Sequence, residues 1–165
     1  MDKVYLLDSN IYIKAKNILY PFDLFPSFWD KILDFAKQGI IVITQEVYEE
    51  ILEGEDELSN WLAENKSCFK NKKSSEEIVI SCYSDIIQSV YDNAVYKVTA
   101  KNEFATVADS WIIAHAKAYG YTLVTEEKRV DLSSKKRVKI PNVCAEHGVK
   151  CIDLIDFLRE TKVKF

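Results

Sequence analysis

Apolar residues collect in four short runs, and between these runs they recur at helical spacing. The first run, 3–8, is Lys3-Val4-Tyr5-Leu6-Leu7 closed by the carboxylate of Asp8. A β-branched run at 40–43, a third at 121–125 and a fourth at 149–152 have the look of buried parallel strands. Helices are predicted over 10–17, 27–38, 45–53, 56–66, 104–119 and 153–160. Ser74 and Glu77 form a capping-box pattern for a further helix reaching about 95. Gly39 and Gly120 are placed to stop two of these helices, and Thr44 to start another. Strands alternating with helices predict an α/β fold, with a central parallel sheet between two helical layers.

The chain has 165 residues, enough for a single domain over 1–165 with a sizeable core. Hydrophobic residues are 48% and charged residues 29%, which excludes a disordered chain. No apolar run approaches bilayer length, and the N-terminus lacks the layout of a signal peptide. Four scattered cysteines fit a reducing compartment better than a disulfide scaffold. A cytoplasmic protein with no membrane partner is therefore expected.

Net charge is −4, but its distribution is uneven. Glu46, Glu49, Glu50, Glu53, Glu55, Asp56 and Glu57 stand together with no basic residue among them. Lys128, Arg129, Lys135, Lys136, Arg137 and Lys139 face a lone Asp131, and Lys70, Lys72 and Lys73 form a smaller basic knot. Taken singly, such runs read as solvated faces.

The positions of the acids relative to the strands carry more information. Asp8 ends the first strand, Glu49 and Glu50 ride on the helix after the second, and Asp109 lies in the helix before the third. Glu126 and Glu127 follow the third strand directly. In a parallel sheet these segments can meet at one edge, where ligands bind. Crowded carboxylates resist ionisation unless a cation neutralises them, and an all-oxygen donor set favours Mg²⁺ or Mn²⁺ over zinc. On a helical wheel Glu49 and Glu50 flank the buried face about equally, so geometry does not choose between them.

Leu7-Asp8-Ser9-Asn10-Ile11 resembles the opening motif of PIN-domain nucleases. Val47-Tyr48-Glu49-Glu50-Ile51 resembles their second motif, and Ala108-Asp109-Ser110-Trp111-Ile112-Ile113-Ala114-His115-Ala116 their third. Leu123-Val124-Thr125-Glu126-Glu127 resembles the fourth, with Glu127 where relatives commonly have Asp, which leaves Glu126 as a rival. The segments around Tyr20-Pro21-Phe22, Phe28-Trp29 and Lys139-Ile140-Pro141-Asn142 resemble a bacterial PIN-like subfamily. The resemblance covers about 5–154. It implies an α/β/α sandwich and cleavage of single-stranded RNA with Mg²⁺ or Mn²⁺, giving 5′-phosphate and 3′-hydroxyl ends. Many relatives are toxins of toxin–antitoxin pairs, so a protein antitoxin and a homo-oligomer enter as partners.

Carried over by position, Asp8, Glu50, Asp109 and Glu127 are the catalytic and metal-binding candidates. Ser9, Asn10 and Thr125 are expected to support them. Lys128, Arg129, Lys135, Lys136, Arg137 and Lys139 are the candidates for holding the RNA backbone. The alternative is a catalytically silent PIN-like module that binds RNA or protein. Cys144, His147 and Cys151 could be read as metal ligands, but a structural zinc site needs a fourth. The aromatics Tyr20, Phe22, Phe25, Phe28 and Trp29 read mainly as core or as an oligomer contact rather than as a base-stacking platform.

Overall fold

A computed structural model describes residues 2–131 and 136–165. The first strand, β1 (Tyr5–Leu7), leads into α1 (Ser9–Lys14), which continues as a π-helical turn over Ala15–Leu19. After an aromatic loop come α2 (Pro26–Lys37), β2 (Ile41–Thr44) and α3 (Gln45–Glu53). Thr44 accepts the Val47 N–H and so caps α3 as its sequence predicts. Next come α4 (Glu57–Glu64), a single 3₁₀ turn, β3 (Lys70–Lys72), α5 (Glu77–Asp92), α6 (Val98–Thr106) and α7 (Ala108–Tyr119). The chain finishes with β4 (Thr122–Val124), α8 (Ile140–His147), β5 (Cys151–Ile152) and α9 (Leu154–Glu160).

All strand pairs are parallel, and their order is β3-β2-β1-β4-β5. β1 is therefore central, with Leu6 opposite Val42 on one side and Leu123 on the other. Every residue of β1, β2 and β4 is buried, as expected for a sheet covered on both faces. The chain leaves β1 towards β2 and β3, then crosses back to add β4 on the far side. That reversal opens a crevice beyond the carboxyl ends of β1 and β4. Asp8 and Thr125 stand at those two ends.

On one face, Phe157 of α9 packs edge-on against Tyr5 at 5.0 Å and meets Phe35 of α2 at 6.0 Å. In the aromatic segment, Phe22 stacks on Trp29 at 4.3 Å and Tyr20 on Phe28 at 4.3 Å. The Trp29 indole N–H donates to the Tyr20 carbonyl at 2.8 Å. Phe28 and Trp29 are buried, so these rings chiefly build core. Among the described residues no helix is long and apolar enough to cross a membrane.

The structure corrects four details of the sequence reading. β3 is a fifth strand, formed by the polar triplet Lys70-Asn71-Lys72. The helix expected over 104–119 is broken at Val107, whose extended backbone separates α6 from α7. Ser74 does not cap α5; its hydroxyl instead meets His115 Nε2 at 2.9 Å. Cys144 lies in α8, a helix that the sequence reading does not include.

Candidate metal centre and nucleic-acid interface

Asp8 follows the central strand directly and is buried, so its carboxylate depends on local donors. The Thr125 hydroxyl donates to Oδ2 at 3.0 Å, and the Ser9 hydroxyl lies 3.4 Å from Oδ1. Burial pushes the Asp8 carboxyl up to about 6. The Thr125 bond and the Asn10 backbone amide oppose that rise, while the charges of Glu127 and Glu50 add to it.

Asp109 reaches the same crevice from the first turn of α7. The break at Val107 creates a helix start here, where the macrodipole favours a negative charge. Ser110 secures the turn by donating to the Val107 carbonyl at 3.0 Å. Burial first, then the charges of Asp8, Glu127 and Glu50, push the Asp109 carboxyl up to about 7, with Arg137 opposing them. Asp8 and Asp109 thus both lie in the field of Glu50 and Glu127.

The neighbouring glutamates are separated by their partners. Glu49 accepts from Gln45 Nε2 at 2.6 Å, and Gln45 is itself held by Asn71 Nδ2 at 2.9 Å. Glu50 lines the pocket that holds Asp109, together with Asn10, Ala100, Glu103, Phe104, Val107, Arg137 and Val138. An adjoining groove runs between Glu46, Glu49, Glu50 and Glu53 on one wall and Thr106, Val107, Ala108 and Trp111 on the other.

After β4, two adjacent carboxylates start two different helices. Glu126 accepts the Leu154 N–H at 3.0 Å, at the start of α9, and pairs with Lys14 at 3.2 Å. Glu127 accepts the Ile140 N–H at 2.8 Å, at the start of α8, and takes Arg137 Nη2 at 3.3 Å. Of this pair, Glu127 is among the leading charges that raise the Asp8 and Asp109 carboxyls.

Glu103 on α6 shares the pocket and escaped the sequence reading. It lies just outside the helix expected over 104–119, and a start at 108 would have exposed α6 as a separate wall. Of the predicted cations, Lys128, Arg129, Lys136 and Arg137 are exposed and Lys139 is half-buried. Lys135 lies outside the described residues.

The donor chemistry suits a hard divalent cation, because it offers only oxygen ligands and two carboxyls, buried Asp8 and half-buried Asp109, that resist ionisation. The spacing is open: among the described residues no three acid, thiol or imidazole groups stand close enough to enclose an ion. Mg²⁺ is commonly held by one or two carboxylates and keeps several waters, so an open site fits it.

The remaining motifs resolve as structure. The neighbouring Cys151 thiol first, and burial second, push the Cys144 thiol far up. His147 turns away from both, between Ser89 at 2.8 Å and Lys117 at 3.0 Å, so the three do not assemble as ligands. Because Lys117 must donate to Nδ1, the His147 proton sits on Nε2 and points at Ser89. Ser89 in turn donates to the Ile86 carbonyl at 2.8 Å. That polarity runs opposite to the activation of a serine nucleophile.

The chain belongs to the family described as a domain of unknown function (DUF4411), whose model matches residues 5–165. No curated protein matches the sequence. Among solved structures, the chain is similar to VapBC2 from Rickettsia felis bound to a DNA fragment from their promoter. That match has a TM-score of 0.53 at 19% identity and covers 82% of this chain and 99% of the other. PAE2754 from Pyrobaculum aerophilum matches with a TM-score of 0.54 at 14% identity, over 99% of this chain and 92% of that one. At such identities the likeness is one of fold, the parallel sheet between helical layers.

Proposed function

We propose that this DUF4411 member is a metal-dependent endoribonuclease that cuts single-stranded RNA and acts as the toxin of a toxin–antitoxin pair in the cytoplasm. One observation carries the reading. Carboxylates from four separate segments bear on the crevice where the sheet reverses its strand order: Asp8 is buried there, Glu50 and Asp109 line one pocket, and the charge of Glu127 raises both Asp8 and Asp109. Crowding of this kind destabilises the ionised chain, and a bound cation relieves it. The likeness to VapBC2 supports the toxin–antitoxin part.

In this reading Asp8, Glu50, Asp109 and Glu127 hold Mg²⁺ or Mn²⁺. When bound, the ion polarises the phosphodiester and activates water. Thr125 and Ser9 fix the Asp8 carboxylate by their hydroxyls, and Asn10 stands at the pocket mouth. The α7 N-terminus holds Asp109 in place. Lys128, Arg129, Lys135, Lys136, Arg137 and Lys139 bind backbone phosphates, so affinity for RNA falls as salt rises.

A second reading is a silent RNA- or protein-binding module, favoured by Glu127 having both carboxylate oxygens already engaged. Manganese titration of the purified chain and of Asp8→Asn, alongside cleavage of labelled single-stranded RNA, separates the two. Saturable Mn²⁺ binding and cleavage, both lost in the variant, are expected. RNA binding with neither Mn²⁺ affinity nor cleavage establishes the silent module.

A further inference from the structure

Six cations follow β4 in the sequence, and the structure sets one of them apart. Arg137 lines the carboxylate pocket beside Glu50 and Asp109, and its Nη2 donates to Glu127 Oε1 at 3.3 Å. None of Lys128, Arg129, Lys136 and Lys139 lines that pocket. The placement of Arg137 is anchored: Val138 and Ile140 are 3% and 0% exposed, so core packing holds the backbone beside it. Half of the Arg137 side-chain surface stays open, while Glu127 is only 10% exposed. A guanidinium offers five N–H donors in a planar fork, so one contact to Glu127 leaves a face suited to bidentate phosphate binding.

We propose that Arg137 is a built-in counter-ion of the carboxylate pocket that passes from Glu127 to a phosphate of the RNA when substrate binds. This rests on the nuclease reading and gives one side chain a role in it beyond general backbone attraction. Before substrate arrives, the guanidinium offsets the crowded acids and keeps Glu127 ordered. On binding, the phosphate competes for the guanidinium and Glu127 is released towards the ion. A divalent ion and Arg137 carry like charge and share a carboxylate, so they oppose each other in the empty enzyme.

The proposal fixes two changes of opposite sign. Wild type, Arg137→Ala and Arg137→Lys are titrated with Mn²⁺ alone by calorimetry. They are then titrated with a short labelled single-stranded RNA in EDTA, by anisotropy at one salt concentration. Arg137→Ala is expected to bind Mn²⁺ about three- to tenfold more tightly and RNA about tenfold more weakly. Arg137→Lys keeps the charge without the fork; it should match wild type for Mn²⁺ and fall between the others for RNA. If Arg137 is only a prop for Glu127, the alanine variant binds Mn²⁺ more weakly, which overturns the counter-ion. Unchanged RNA affinity overturns the transfer to phosphate. Wild type that binds RNA but no Mn²⁺ defeats the nuclease reading itself, and this inference with it. Arg137→Gln, which keeps much of the side-chain length without the charge, takes the place of the alanine variant if that does not fold, with the same two shifts expected.

Discussion

Thr125 donates its hydroxyl to Asp8 Oδ2 across 3.0 Å, tying the ends of the two central strands together through a bond buried at both ends. Because Thr125 favours the charged carboxylate, Thr125→Val should push the Asp8 carboxyl above its present value of about 6. The acidic limb of the cleavage–pH profile then moves to higher pH, and stability falls by about 1.5–3 kcal/mol. Thr125→Ser restores the hydroxyl and should restore the profile. A valine variant with an unshifted limb shows that this bond does not govern Asp8.

Asp109→Asn should abolish cleavage and leave a folded protein. The folded-state carboxyl is raised to about 7, so the native chain holds a proton that the unfolded chain releases near pH 4. In metal-free buffer the wild type therefore loses stability as pH rises from about 4 through about 7. The asparagine variant lacks that contribution and should be more stable than wild type above that window, by roughly 1–3 kcal/mol. Melting curves across this pH range in EDTA check it; parallel curves for the two proteins refute it.

Glu50→Gln should lower cleavage about a hundredfold, or roughly 2.7 kcal/mol of barrier. Glu49→Gln should stay within about threefold of wild type, because Gln45 already holds Glu49 outside the Asp109 pocket. Matched rate measurements decide the order, and equal losses would mean that both glutamates serve the reaction.

Glu126→Ala removes both a helix-start acceptor and the Lys14 ion pair. The expected cost is about 1 kcal/mol of stability, with cleavage within about twofold of wild type. A large loss of activity at unchanged stability would return Glu126 to the catalytic set.

What the sequence reveals follows how strongly each element depends on apolar burial. β1, β2 and β4 are read directly, since a strand buried on both faces must be an apolar run. The Thr44 cap is equally plain, a polar side chain placed just ahead of an amphipathic helix. β3 stays hidden because an edge strand of three residues can be Lys-Asn-Lys and still pair with β2. The helix break at Val107 is silent because no Gly or Pro marks it, and the β-branched Thr106 and Val107 weaken a helix only slightly. α8 is obscured by Pro141, which suits a first turn as well as a loop. The Asp8 and Asp109 positions are legible from motif and strand end together. The division between Glu126 and Glu127 is not, since it depends on helix starts 28 and 13 residues further on. Likewise the basic run reads as one group, and only the fold shows Arg137 turned inward.

The paired helix starts after β4 also impose a count on the chain. Glu126 reaches α9 and Glu127 reaches α8 only because they are consecutive and begin two residues beyond Val124, where the sheet ends. One residue inserted or deleted between 124 and 127 would shift both carboxylates one place along the chain, so that only one of them meets a helix start and the other start is left bare. Divergence here is therefore limited to substitution, and a grafted loop or epitope belongs elsewhere in the chain.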